Sequence, residues 1–209
     1  MSRDTFPSLA KQGQGLFKAK GSKFHGHAFP LPFDDEEAAE VAVNAHLEAV
    51  RKQHHAARHV CYAWQFGPDR HRATDDGEPG GSAGAPIHGV LRAHDLHWSL
   101  IPVVRYFGGV KLGVGGLIEA YREAGREAVA DAGLSKNILK LSMTFAYTPH
   151  LTRHVMQAIQ NHGADILAER YTDRCLLDIA IAAGEAESLK QAFLNIHGVD
   201  LVKPKASKN

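Results

Sequence analysis

The chain has 209 residues, 44% of them hydrophobic, which is enough for one large domain or two small ones with an ordinary soluble core. Lysine and arginine number 24 against 23 acidic residues, so no global charge steers the protein toward nucleic acid or a membrane surface, and any such binding has to come from a local patch. Cys61 and Cys175 stand far apart in strand-like runs, the usage of a reduced, cytoplasmic protein rather than a disulfide framework. The first residues lack the apolar core of a signal peptide, and no run approaches the roughly 18 apolar residues of a membrane span. Fourteen histidines are scattered along the chain and read mainly as surface or packing residues.

Residues 1–14 are polar and are expected to be loose, with room for docking late in the segment. Two short apolar runs, from Leu16 and from Phe24, flank Gly21-Ser22 and predict a hairpin on which Lys18, Lys20 and Lys23 place positive charge. Asp34-Asp-Glu-Glu opens a helix, since acidic side chains suit the unpaired N–H groups of a first turn. Ala39, Val43, Leu47 and Val50 give that helix one apolar face. A strand follows from His59 to Gly67. The chain from Arg70 to Gly84 then reads as a long glycine-rich loop carrying Asp75, Asp76 and Glu78, with Ser82 expected to cap a helix over 85–93.

The run Leu100-Ile-Pro-Val-Val predicts a buried strand over about 98–107. It feeds the loop RYFGGVKLGVGG, and a helix from Gly116 to about Ala132 leaves it, with Leu117, Tyr121, Ala124 and Ala128 as its buried stripe. Residues 133–140 read as a linker or shared edge. Beyond them come strands at 141–147, 165–171, 175–182 and 199–202 and helices at 151–160 and 185–196, the first of these helices with Leu151, Val155 and Ala158 on one face. The order β-α-β-β-α-β is the split βαβ of a ferredoxin-like domain. Lys203 to Asn209 is a short basic tail expected to be disordered.

A glycine loop opening onto a helix N-terminus suits an anion, and Arg105 and Lys111 add charge. It is neither a P-loop, because Leu112 follows Lys111, nor a Rossmann loop, because Ile118 replaces the third glycine. HExxH is absent. Asp75, Asp76 and Glu78 are of the type that could hold Mg²⁺ beside a phosphate, but carboxylates next to glycine commonly set turns, so no metal is assigned. Gly80-Gly-Ser82-Ala-Gly84 fits G-x-S-x-G without the preceding strand that a nucleophile elbow needs. Cys61 reads as a buried structural thiol.

Two long motifs together carry a resemblance. Thr74-Asp-Asp-Gly-Glu-Pro-Gly-Gly-Ser-Ala-Gly-Ala-Pro followed by Val104-Arg-Tyr-Phe-Gly-Gly-Val-Lys-Leu-Gly-Val-Gly-Gly-Leu closely resembles the signature of the YigZ/IMPACT family. Lys20-Gly-Ser-Lys-Phe and Arg58-His59 match it too, and Ser82 stands where threonine is expected. The resemblance implies an α+β protein of two domains. Residues 1–136 would form a ribosomal protein S5 domain 2-like N-terminal domain, and residues 137–209 a ferredoxin-like C-terminal domain, a pair that resembles the last two domains of translation elongation factor G. Eukaryotic relatives regulate translation through segments outside the shared signature.

Three readings follow. In the first, the protein is non-catalytic, linked to translation and cytoplasmic, and it touches RNA, the ribosome or a small anionic ligand through Lys23, Arg58, Arg105, Lys111 and the N–H groups of Gly115 and Gly116, with no cofactor. In the second, it is an enzyme acting on a small phosphorylated or nucleotide-like substrate, with the Asp75–Glu78 carboxylates facing the Lys111 loop. In the third, the two loops pack on each other, with Arg105 or Lys111 pairing with Asp76.

Overall fold

The computed structural model describes residues 5–33 and 35–202. Contacts divide the described residues into two compact units, Phe6–Asn137 and Ile138–Val202, with Thr5 assigned to the second. Asp34, residues 1–4 and the basic tail lie outside the described residues.

The first unit runs β1 (Thr5–Leu9), β2 (Gly13–Ala19), β3 (Ser22–Pro30), α1 (Glu36–Gln53), β4 (His59–Phe66), β5 (Arg70–Thr74), α2 (Gly84–Ala93), β6 (Ser99–Tyr106), α3 (Gly113–Ala132) and β7 (Leu134–Ile138). Five strands form an antiparallel sheet in the order β2-β3-β6-β4-β5. Strand β6 is central and covered on both sides, which is why its sequence is a continuous apolar run. Leu100 and Val104 face a core shared with Val43, Leu47 and Val50 of α1, while Ile101 and Val103 face a core shared with α2 and α3. Asp35 caps α1 by accepting from the N–H groups of Glu37 and Ala38.

Several expectations are corrected. Residues 5–9 are not loose: they form β1, which pairs with β7 and buries Phe6 and Leu9. Of the two readings of residues 133–140, linker or shared edge, the strand β7 agrees with the second. Arg70–Thr74 pairs with β4, so the glycine-rich loop spans only 75–83. Helix α3 starts at Gly113, three residues before Gly116.

The second unit runs β8 (Lys140–Tyr147), α4 (Thr152–His162), β9 (Asp165–Tyr171), β10 (Cys175–Ala182), α5 (Ala186–Leu194) and β11 (Val199–Val202), with single 3-10 turns before α4 and α5. The sheet order is β11-β8-β10-β9, all antiparallel. Phe145, Leu177 and Ile179 pack against Val155, Ile159, Leu189 and Phe193 in one core. The fully packed residues of α4 are Val155 and Ile159, with Leu151, in the 3-10 turn just before the helix, and Ala158 only partly buried beside them.

Close approach explains glycines on the first sheet. A Cβ on Gly26 would sit 2.1 Å from the Ala124 carbonyl oxygen, and one on its cross-strand partner Gly15 would sit 2.6 Å from the Ala128 nitrogen. Helix α3 thus lies directly on the backbone of β2 and β3. Gly26→Ala is expected to lower unfolding free energy by about 3 kcal/mol through overpacking, whereas Gly89→Ala, in open space on α2, raises it by about 0.5–1 kcal/mol. Urea unfolding of the two variants measures both.

Candidate functional site

Asp75 to Glu78 form a tight turn closed by the Glu78 N–H on the Asp75 carbonyl at 2.9 Å. Its central residues, Asp76 and Gly77, have φ of 44° and 89°. An Asp-Gly pair is the usual solution where both central residues need positive φ. The turn is fastened to β4 by its own backbone: the Asp76 carbonyl accepts from His59 Nδ1 at 2.6 Å, and the Asp75 carbonyl accepts from Cys61 Sγ at 2.9 Å.

Each carboxylate of the loop has protein partners. Asp75 accepts from the N–H groups of Gly81 at 2.8 Å, Ala83 at 2.9 Å and Gly84 at 2.8 Å. It therefore does the capping of α2 that was expected of Ser82, whose hydroxyl instead donates to the Pro79 carbonyl at 2.6 Å. Burial alone would raise the Asp75 carboxyl, but the three N–H groups outweigh it and hold it below the usual range. Asp76 accepts from the Val60 N–H at 2.7 Å and faces Arg51 at 3.5 Å. Glu78 is the buried one. Arg105 Nη1 donates to both of its oxygens, at 2.8 and 2.9 Å, and the Tyr121 hydroxyl donates to one of them at 2.8 Å. The Arg105 and Glu78 side chains are 12% and 4% exposed, so the pair is shielded from water.

The two glycine loops do meet, but through Arg105 and Glu78 rather than Asp76. This takes Arg105 out of the set of free phosphate contacts: its guanidinium is neutralised by Glu78 and lies 5.6 Å from the Phe24 ring and 5.5 Å from the Phe107 ring. The same contacts engage Asp75, Asp76 and Glu78 with donors of the protein itself. Among the described residues no group of three His, Cys, Asp or Glu side chains is placed to hold a metal ion. Burial pushes the Cys61 thiol up to about 12, which favours the thiol over the thiolate.

Beside the pair lies a cavity of about 680 Å³. Arg58, His59, Glu78, Arg105, Lys111 and Phe107 line it, together with Ala56, Ala57, Pro79, Tyr106, Leu112, Gly113, Val114 and Leu117. Arg58 and Lys111 are exposed and have no ion-pair partner among the described residues. The N-terminus of α3, with Gly113 and Val114 on the cavity wall, has neither a side-chain cap nor an acidic residue in its first turn. Gly115 lies in that first turn and Gly116 follows four residues after the Leu112 cap, where helix geometry turns its N–H inward to the ladder. Neither lines the cavity, and nor does Lys23, which is exposed on β3 opposite Tyr106. Tyr121, His59 and Phe107 complete the site; His59 and Phe107 fall within the matched motifs, and Tyr121 within the buried stripe of its helix.

Several histidines gather behind the cavity wall. The Tyr106 hydroxyl is 3.0 Å from His54 Nδ1, and His54 Nε2 is 3.2 Å from His27 Nε2. Burial, and then the neighbouring His54 and His25, push His27 down to about 4.

The class of protein defined by this fold and cleft is a mixed α+β protein of two units, with a cationic cavity beside a buried ion pair. Residues 20–129 match the Impact N-terminal domain, and the chain belongs to the IMPACT family. It is 32% identical over 148 residues to the IMPACT family member YigZ of Escherichia coli, covering 69% of this chain and 72% of that protein. It is 40% identical over 103 residues to the family member YvyE of Bacillus subtilis, spanning 48% of each, about half the relative's length. A match to a family member of Thermus thermophilus is 41% identical over 111 residues and covers 53% of this chain and 56% of that one. A crystal structure of a hypothetical protein is similar in fold, with a TM-score of 0.68 and 26% identity over 97% of this chain and 98% of that one.

His27 binds a proton in the unfolded chain at its ordinary value of 6.5 but in the folded chain only near 4. The unfolded state therefore holds more protons between these values, and stability falls as pH drops from 6.5 toward 4. Replacing His27 with Phe removes this part of the acid loss, on the order of 2–3 kcal/mol. Urea unfolding at pH 7 and pH 4.5 is expected to show a smaller difference for the variant than for the parent.

Proposed function

We propose that this protein is a non-catalytic binding protein linked to translation, which contacts RNA or the ribosome from the cytoplasm through the Arg58–Lys111 cavity. The observation that carries this reading is a division of charge: every carboxylate of the signature loop is engaged within the protein, while Arg58 and Lys111 stand unpaired around one cavity at an uncapped helix N-terminus. Two free cations and oriented backbone N–H groups suit phosphates, which bring affinity but no sequence information. The all-antiparallel sheet order β11-β8-β10-β9, with α4 and α5 contributing to one core, supports a ferredoxin-like second unit; the first unit we read as S5 domain 2-like. That pairing would resemble the last two domains of elongation factor G, which supports the link to translation. Among the described residues no helix is long and apolar enough to cross a membrane.

Binding of a short single-stranded RNA should weaken steeply between 50 and 200 mM salt. Arg58→Ala with Lys111→Ala is expected to flatten the slope of log affinity against log salt by about 1.4, since each single-strand phosphate contact contributes roughly 0.7. Unchanged affinity and slope in a folded double variant would refute the assignment.

A further inference from the structure

The cavity carries features that phosphate binding alone does not use. Nδ1 of His59 points at a carbonyl oxygen 2.6 Å away, and a carbonyl can only accept, so Nδ1 carries the proton. In the neutral ring, Nε2 is then a fixed acceptor. His59 sits on the cavity wall next to Arg58. The wall also carries apolar side chains, among them the Phe107 ring, 59% exposed, and Val114, 52% exposed. A volume of about 680 Å³ is in the range of small-ligand sites and offers a concave wall rather than a flat track for a duplex.

We infer that the cavity takes one unstacked ribonucleotide of a single-stranded RNA, with the phosphate between Arg58 and Lys111, the base against Phe107, and the ribose 2′-hydroxyl donating to His59 Nε2. The inference rests on the RNA reading of this same cavity. Stacking on an exposed ring tolerates any base, so the site selects sugar and strandedness and not sequence. The 2′-hydroxyl is the one group through which a protein tells RNA from DNA at a given position. A base held in a duplex cannot reach the Phe107 wall, so paired RNA is excluded.

The experiment measures the affinities of a 12-nucleotide single-stranded RNA, the DNA of the same sequence and the corresponding RNA duplex, for the parent and three variants. The parent is expected to bind single-stranded RNA about tenfold more tightly than DNA, the worth of one hydrogen bond left unmade. His59→Asn places an amide nitrogen where Nδ1 stands, keeping a donor for the Asp76 carbonyl and removing the acceptor. It should bring RNA affinity down to that of DNA, so that the ratio of the two falls from about ten to about one. Phe107→Ala should weaken both single strands by a similar factor. If the parent binds RNA and DNA equally, or His59→Asn keeps the preference, the inference fails, while a loss of binding in the Arg58/Lys111 variant would still uphold the phosphate site. If Arg58→Ala with Lys111→Ala changes nothing, the RNA reading of the cavity falls and the inference falls with it.

Discussion

The buried pair of Arg105 and Glu78 is the interaction on which the arrangement of this site depends. It joins the end of β6 to the loop that follows β5, and the Tyr121 hydroxyl ties the same carboxylate to α3. Two charges taken out of water need good geometry and further hydrogen bonds to hold their place. Here one guanidinium nitrogen reaches both carboxylate oxygens, a phenol shares one of them, and two aromatic rings flank the cation. The phenol stays protonated, because burial raises its pKa strongly, so it can only donate to the carboxylate. The pair fixes where the glycine loop before α3 lies relative to β4, and the cavity is the space between them.

The turn before Glu78 works in the same direction. Asp75 gathers three N–H groups at the start of α2, and Asp76 with its carbonyl holds the first residues of β4. These acids are held by the protein's own donors, while Arg58 and Lys111 stand at the cavity without an ion-pair partner among the described residues, although the chain as a whole is nearly balanced in charge. A near-zero net charge therefore says little about this surface; at physiological salt, screening limits the reach of each charge to roughly 8 Å, so a local pair of cations acts locally.

Elements were readable wherever a single periodicity acted. The apolar spacing of Ala39, Val43, Leu47 and Val50, the unbroken run in β6, and the six elements after residue 139 are all local patterns. What escaped the sequence was set by partners far along the chain. Residues 5–9 look polar, but β7, more than 120 residues later, pairs with them. Arg70–Thr74 is charged and mostly exposed, and it is a strand only because β4 lies beside it. Both signature loops were visible as candidates, yet their roles were not. Nothing in Asp-Asp-Gly-Glu says that Asp75 caps a helix eight residues on, or that Glu78 meets Arg105 across 27 residues and Tyr121 across 43. Arg105, Lys111 and Arg58 look alike as cations in a sequence and all three line the cavity; only burial against Glu78 separates the first, whose charge is paired, from the other two, which are exposed.

The central claim is that Arg105 and Glu78 serve each other and leave ligand binding to their neighbours. A double-mutant cycle with Glu78→Gln, Arg105→Gln and the double variant, read by urea unfolding, tests it most directly. The account predicts a coupling energy of at least about 2 kcal/mol, with either single variant costing about 3–5 kcal/mol because it strands a buried charge. Additive effects within about 0.5 kcal/mol would contradict it.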